Sequence, residues 1–497
     1  MELMLTPLSA KKWNFTTAAH LLNRAGFGGP PAEIERLLKL GPDRAVDWLV
    51  NFEATPDETP NPDWAKPDPS RREKFEAMRK ASEEERRRLQ REEQQLQRQR
   101  MTELRGWWLS RMAHGPRPLQ EKLVLFWHGH FATSVEKVRE PYFMWRQNEL
   151  FRRLAHGNWL QMLIEVAQDP AMLIWLDQAQ SRKDHPNENF AREVMELFAL
   201  GEGHYTEKDI TEAARALTGW TLDRATQRFV HRPFLHDTGE KTVLGRTGNL
   251  DGEDVLEQIV AQPQAAKFIT AKLWHFFAAE APTEKLNDAL AALFRKHGNE
   301  FKPVVSAMFR SEEFYEPSVI RNQVKSPVQW LVGTVRMLET SLPSPQISWG
   351  LTRNLGQDLF APPNVKGWDG GVTWITTNHL LSRYNEAAVL VQGDMSMVAG
   401  MNLGLPNVNP NMERALQNRL RDGRPRSVEV AKLFSERERK DKVALISALE
   451  RRLLQAELKP QQRAALQEYL ESQGALDEGD LLGAIRLVMS TPEYQVT

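Results

Sequence analysis

The chain has 497 residues, 41% hydrophobic and 26% charged, with Lys+Arg 65 against Asp+Glu 66. This is a soluble globular composition with enough length for more than one domain, and a formal net charge of −1 gives no global field to attract nucleic acid or an anionic membrane. The lack of any cysteine excludes disulfides, thiolate nucleophiles, iron–sulfur clusters and thiolate zinc sites, so a metal would have to be held by His, Asp, Glu or backbone oxygen.

No apolar run approaches the roughly 20 residues that a membrane span needs. The start, MELMLTPLSAKKWNFTTAAHLL, has no apolar signal core, which predicts a cytoplasmic protein, exported only if a leader has been removed. Residues 14–50 read as short helices around a Gly-Pro break, with Ile34, Leu37, Leu38, Val46 and Leu49 at helical spacing. A Pro-rich strip, ATPDETPNPDWAKPDPS, follows as an irregular connection. From about 71 to 105 the chain is nearly all helix formers with sparse apolar anchors, Phe75, Met78, Leu89 and Leu96. That pattern predicts a long solvated helical arm laced by i,i+4 charge pairs.

Apolar density rises from Trp107 through four successive helix candidates, and a polar loop then leads into NENFAREVMELFALG, closed by Gly201 in a C-cap role. Thr206, with Asp209 three residues on, opens the next helix as a capping box. The one β signal is QRFVHRPFLHDTGEKTVLG, read as a hairpin near 226–245 turning at Asp237, Thr238 and Gly239. Helices resume to about 392. The expected architecture is therefore an all-α multi-helix bundle with one small inserted hairpin. The expected organisation is a helical core over 1–394 carrying the arm, a linker over 395–411 rich in Gly, Asn and Pro, and a C-terminal helical region over 412–497.

Three clusters could carry chemistry. On NENFAREVMELFALG, a turn of about 100° per residue sends Phe190, Ala191, Val194, Leu197 and Phe198 one way and Asn189, Arg192, Glu193 and Glu196 the other. Two carboxylates one turn apart can converge on a cation or polarise a substrate. The plainer alternative is a solvated face with an Arg192–Glu196 pair at i,i+4. The second cluster is His128-Gly129-His130, whose imidazoles share a face if the backbone is extended and diverge if it is helical. In the third, His236 and Asp237 with Lys241 form a polar knot in the hairpin. The candidate set is thus Asn189, Arg192, Glu193 and Glu196 as catalytic groups, and His128, His130, His236 and Asp237 as ligands of a divalent metal. No H-E-x-x-H spacing, nucleophile elbow, phosphate loop or dinucleotide fingerprint is present, and Trp368 and Trp374 in VKGWDGGVTW are read as packed rather than sugar-binding.

The blocks AAHLLNRAGFGGPPAEIERLL, LQEKLVLFWHGHFATS, PNENFAREVMELFALGEGHYTEKDITEAARALTGW, HDTGEKTVLGRTGNLDGEDVLEQI, KSPVQWLVGTVR and FAPPNVKGWDGGVTWI resemble, in order, those of the DUF1800 family. The resemblance implies a helical bacterial protein, often encoded beside a DUF1501 partner and often exported, with no established catalytic set. Asn187, Glu188, Asn189, Arg192, Glu193, Glu196, His236 and Asp237 are its motif positions. Two function classes follow: a metal- or carboxylate-dependent enzyme, or a non-catalytic assembly or binding protein whose Asn, Arg and Glu groups pin helices together.

Overall fold

Short polar side chains and prolines set where the helices start. In the computed structural model, which describes residues 4–393 and 427–497, Asn14, Asn158, Asp169, Thr206 and Asp251 each accept hydrogen bonds from first-turn N–H groups of the helix they precede. Pro31, Pro42, Pro118, Pro141, Pro263 and Pro327 occupy first turns, where an N–H would have no intrahelical partner. The Thr206–Asp209 box forms with both halves present.

The chain is dominated by helices. They run α1 (Phe15–Ala25), α2 (Pro31–Leu40), α3 (Pro42–Val50), α4 (Arg71–Lys80), α5 (Glu83–His114), α6 (Pro118–His130), α7 (Val135–Val138), α8 (Pro141–Arg153), α9 (Trp159–Ala167), α10 (Pro170–Trp175), α11 (Glu188–Glu193) and α12 (Glu207–Ala216). After the strands come α13 (Gly252–Ala261), α14 (Pro263–Ala278), α15 (Glu284–Lys296), α16 (Phe301–Arg310), α17 (Pro327–Met337), α18 (Pro345–Asn354) and α19 (Thr377–Gln392).

One hydrophobic core joins all of these helices except α4. Trp108, Trp127, Trp159 and Trp330 are fully buried, and Trp127 stacks on Phe131 at 5.7 Å and on Trp159 at 5.8 Å. Truncating any such side chain to alanine costs about 3–5 kcal/mol. An ionic knot is embedded in the same core. Glu121 on α6 accepts from Trp108 Nε1 at 2.9 Å, Arg111 Nε at 2.9 Å and Arg152 Nε at 2.7 Å. Burial would raise its carboxyl, but Arg152 and Arg111 outweigh burial and hold it below the usual carboxylate range.

The expected arm is two helices. Ser82 caps α5 by accepting from Glu85 N, which breaks the pattern after α4, and α5 then runs on to His114. No residue from Arg71 to Arg100 is buried, whereas Met101, Leu104, Trp108 and Met112 on the last turns of α5 enter the core.

The single expected hairpin is two. β1 (Trp220–Asp223) pairs antiparallel with β2 (Arg228–His231), and β3 (Lys241–Val243) with β4 (Arg246–Gly248). Asp237, Thr238 and Gly239 lie in the connection between them. The real turns are at 224–227, where Gln227 takes φ 57°, and at Leu244-Gly245, with φ 48° and 84°, the two-residue geometry that matches strand twist.

The expected linker at 395–411, and the expected C-terminal helices up to residue 426, lie outside the described residues. From 427 onward the chain is helical and packs onto the rest. Asn23 Nδ2 donates to Gln455 Oε1 at 2.6 Å, Arg24 to the Thr497 carbonyl at 2.8 Å, and Tyr494 OH lies 2.7 Å from Thr334 Oγ1. Among the described residues, no helix is long and apolar enough to cross a membrane.

Candidate functional site

The motif helix begins with Asn187, whose Oδ1 accepts from Asn189 N at 3.1 Å while its Nδ2 donates to the Leu176 carbonyl at 2.7 Å. After six residues α11 widens into a π-helical turn, Val194–Ala199, which ends as Leu200 N and Gly201 N both reach the Met195 carbonyl. Gly201 takes φ 84°, the cap its position predicts.

The last carbonyls of a helix have no intrahelical donors. Neighbouring side chains supply the donors here. Lys272 Nζ on α14 donates to the Leu197 carbonyl at 3.1 Å, Gln264 Nε2 to that of Leu200 at 3.1 Å, and His130 Nε2 pairs with that of Phe198 at 3.0 Å. Burial, then the Lys272 charge, pull His130 well below the ordinary imidazole value. It is therefore neutral and donates from Nε2. Burial also pushes the Lys272 amine down to about 8.

His128 faces elsewhere. Its Nε2 accepts from Phe360 N at 3.0 Å, and burial, with Arg105 nearby, pushes it down to about 3. Both residues lie on the last turn of α6, so of the two geometries open to an H-x-H pair the helical, divergent one is adopted. His236 Nδ1 lies 3.0 Å from the Thr218 carbonyl, and Asp237 is clamped by Arg215 Nε at 2.8 Å. Arg215 lowers the Asp237 carboxyl. Lys241 Nζ turns to the Gly239 carbonyl at 2.9 Å.

These donors do not fit a shared cation. The lone pair that His128 Nε2 would offer is spent on Phe360, and the His130 Nε2 proton on Phe198. Among the described residues, no group of three or more His, Asp or Glu is placed to hold a metal ion. Of the three clusters, a hydrogen bond joins His130 to the motif helix, and among the described residues neither a hydrogen bond nor an ion pair ties His236 or Asp237 to either.

The polar stripe divides. Arg192 does not pair with Glu196; its two terminal nitrogens grip Glu207 of α12 at 2.8 and 2.7 Å. Glu196 Oε2 accepts from Tyr205 OH at 2.7 Å, and burial and that carboxylate raise the phenol. Glu188 accepts from Thr211 Oγ1 at 2.9 Å, a second strap to α12. Asn189 is exposed. Glu193 is half-buried and has no hydrogen-bond or ion-pair partner among the described residues. Burial, then Glu196, raise its carboxyl above the usual range, against the pull of Lys366 and Arg192.

Lys366 enters from a loop that leans on the end of α6. Gly367, at φ 84°, approaches so closely that a Cβ there would stand 2.4 Å from the Gly129 carbonyl, and Trp368 packs 5.6 Å from the His128 ring. Lys366, Tyr205, Glu207 and Lys272 belong to the site but not to the set that sequence reasoning nominates. Lys366, Tyr205 and Glu207 carry a signal, by sitting inside blocks already singled out; Lys272 carries none.

The ordered blocks that build this site match, over residues 20–496, the family described as Protein of unknown function (DUF1800). The chain belongs to the DUF1800 family. No curated protein and no solved structure matches it. The match reaches through the helices beyond 427, so the DUF1800 region includes the C-terminal part that docks on Asn23, Arg24 and Thr334.

Proposed function

We propose that this DUF1800 protein carries a carboxylate-centred acid–base site at the mouth of the π-helical turn, with Glu193 exchanging a proton with a bound polar substrate and Lys366 supplying positive charge beside it. The observation that supports this is the contrast within one stripe. Arg192, Glu196 and Glu188 are each committed to a partner on α12 or the loop before it, while Glu193 alone is half-buried, without a partner among the described residues, and shifted toward neutrality. An acid or base works best with a pKa near the operating pH, and burial beside a second carboxylate is how proteins move one there. Local π turns also recur at functional positions because they re-aim side chains.

The strapped residues favour a second role for the rest of the motif. Arg192–Glu207, Glu188–Thr211 and Glu196–Tyr205 join α11 to the segment that follows it, so those three groups serve the helix pairing and Glu193 serves the chemistry.

The test compares the intact protein with Glu193→Gln on a panel of ester, amide, glycoside and isomerase substrates, alongside a carbon-13 titration of the glutamate carboxyls. Any turnover found should fall by about 10²–10⁴ in the Gln variant while the unfolding midpoint stays put. Turnover that survives the substitution, or a Glu193 that titrates with ordinary exposed glutamates, would refute the assignment.

A further inference from the structure

Away from the motif stripe, a cleft of about 560 Å³ opens between the β1–β2 hairpin, α10 and α7. That volume falls within the range of about 300–1,000 Å³ typical of small-molecule sites. Leu173 and Ile174 from α10 and Leu222 from β1 make one side apolar. The rest of the lining is polar or small, with Lys137, Arg224 and Arg232 as its cations and Asp177 as its one carboxylate.

Lys137 on α7 donates to the Trp175 carbonyl at 2.7 Å and to Asp177 Oδ2 at 2.8 Å, so its charge is already matched. Arg224, in the β1–β2 turn, and Arg232, just past β2, are not matched. Both line the cleft, and neither side chain has an ion pair or a hydrogen bond to any described residue. The carboxylate nearest in sequence is already engaged, because Asp223 accepts from Ala225 N at 2.9 Å and Thr226 Oγ1 at 2.8 Å and is held in the turn. Arg232 acts on Asp223 only through space, as the smallest of the influences that lower its carboxyl. The lining therefore carries Lys137, Arg224 and Arg232 against Asp177, two positive charges in excess, in a chain whose net charge is −1.

We propose that this cleft binds a small organic oxyanion, a carboxylate or a phosphate ester, with its apolar body against Ile174 and Leu222 and its charged end held by Arg224 and Arg232. Guanidinium presents paired N–H groups in a planar fork that matches both oxyanions, and two such groups left unpaired beside an apolar wall suit a ligand with both features. The proposal stands apart from the acid–base assignment of Glu193, since no residue of that stripe lines the cleft.

The experiment is calorimetric titration of the full chain with octanoate, octyl phosphate and, as the uncharged control, octanol, repeated on Arg224→Gln, Arg232→Gln and the double variant. Both arginines are exposed, so circular dichroism and the unfolding midpoint should be unchanged in every variant. At least one anion should bind, with octanol weaker by about tenfold or more and each Gln substitution weakening the anion by about tenfold. Which anion binds more tightly decides between carboxylate and phosphate. Octanol binding as well as the anions, a double variant that binds like the parent, or no heat from either anion up to about 10 mM would each overturn the proposal.

Discussion

Glu386 offers a sharp test of how burial governs ionisation in this fold. It lies on α19 with no exposed surface, and neither carboxyl oxygen has a hydrogen-bond partner among the described residues. Burial raises its carboxyl well above the usual range, opposed only by Arg383 one turn back, whose own terminal nitrogens are spent on Gln495 Oε1 at 3.0 Å and the Lys325 carbonyl at 2.7 Å. An acid raised in the folded state keeps a proton that the unfolded chain releases. Its contribution is fully present below the unfolded value, about 4.3, and is lost as pH climbs toward the folded value. Glu386→Gln removes that loss because the amide does not titrate. The two proteins should therefore be nearly equal in stability at pH 4. The variant should then gain on the parent by about 1.4 kcal/mol per pH unit until the folded value is passed, after which the gap is constant. Urea unfolding followed at half-unit steps from pH 4 to 8 reads this directly. A difference that does not change with pH, or a Gln variant less stable than the parent at pH 7, would refute the reasoning and imply a partner for the ionised carboxylate.

The buried ionic knot should respond in the opposite sense. Glu121→Gln removes the carboxylate that Arg111 and Arg152 share in the core, leaving them only Asp57 and Glu149 as acidic partners, and should cost about 3–5 kcal/mol at neutral pH by chemical denaturation. Because Glu121 is lowered in the folded state, that gap should shrink as pH falls through the folded carboxyl value; a gap that persists in acid would argue against the assignment. Replacing residues 76–92 of the arm by a short Gly-Ser link should shift the unfolding midpoint by less than about 2 °C, since no side chain from Arg71 to Arg100 is buried. A larger drop in a thermal scan would show that the arm contributes to the core.

Helical periodicity, prolines and caps make the architecture legible, down to the Thr206–Asp209 box and the Gly201 stop. The departures from that reading share a physical cause: local backbone choices that residue type does not announce. Asp237-Thr238-Gly239 is a stronger turn signal than either real turn, because Gln227 and Leu244 adopt positive φ that those side chains rarely take. The arm breaks at Ala81-Ser82 although nearly every flanking residue favours helix, and serine acting as a cap decides it. His128 and His130 stay helical to the end of α6, which sends one ring to Phe360 and the other to Phe198.

The π turn explains why the site itself is only half visible in the sequence. A reading at 3.6 residues per turn places Glu196 one turn above Arg192 as its natural partner. The widened turn shifts every side chain after Glu193 relative to that count, so Glu196 meets Tyr205 while Arg192 reaches across to Glu207. The helix end at Ala199 leaves open the carbonyls that His130 and Lys272 satisfy, which makes a histidine with a metal-like spacing a donor to backbone. Glu193 stands at the last α-helical position before the insertion. Arg192 and Glu196 have been drawn off to other segments, and among the described residues a half-buried Glu193 carboxylate beside Glu196 and Lys366 is left without a hydrogen-bond or ion-pair partner, the feature on which its proposed acid–base role rests.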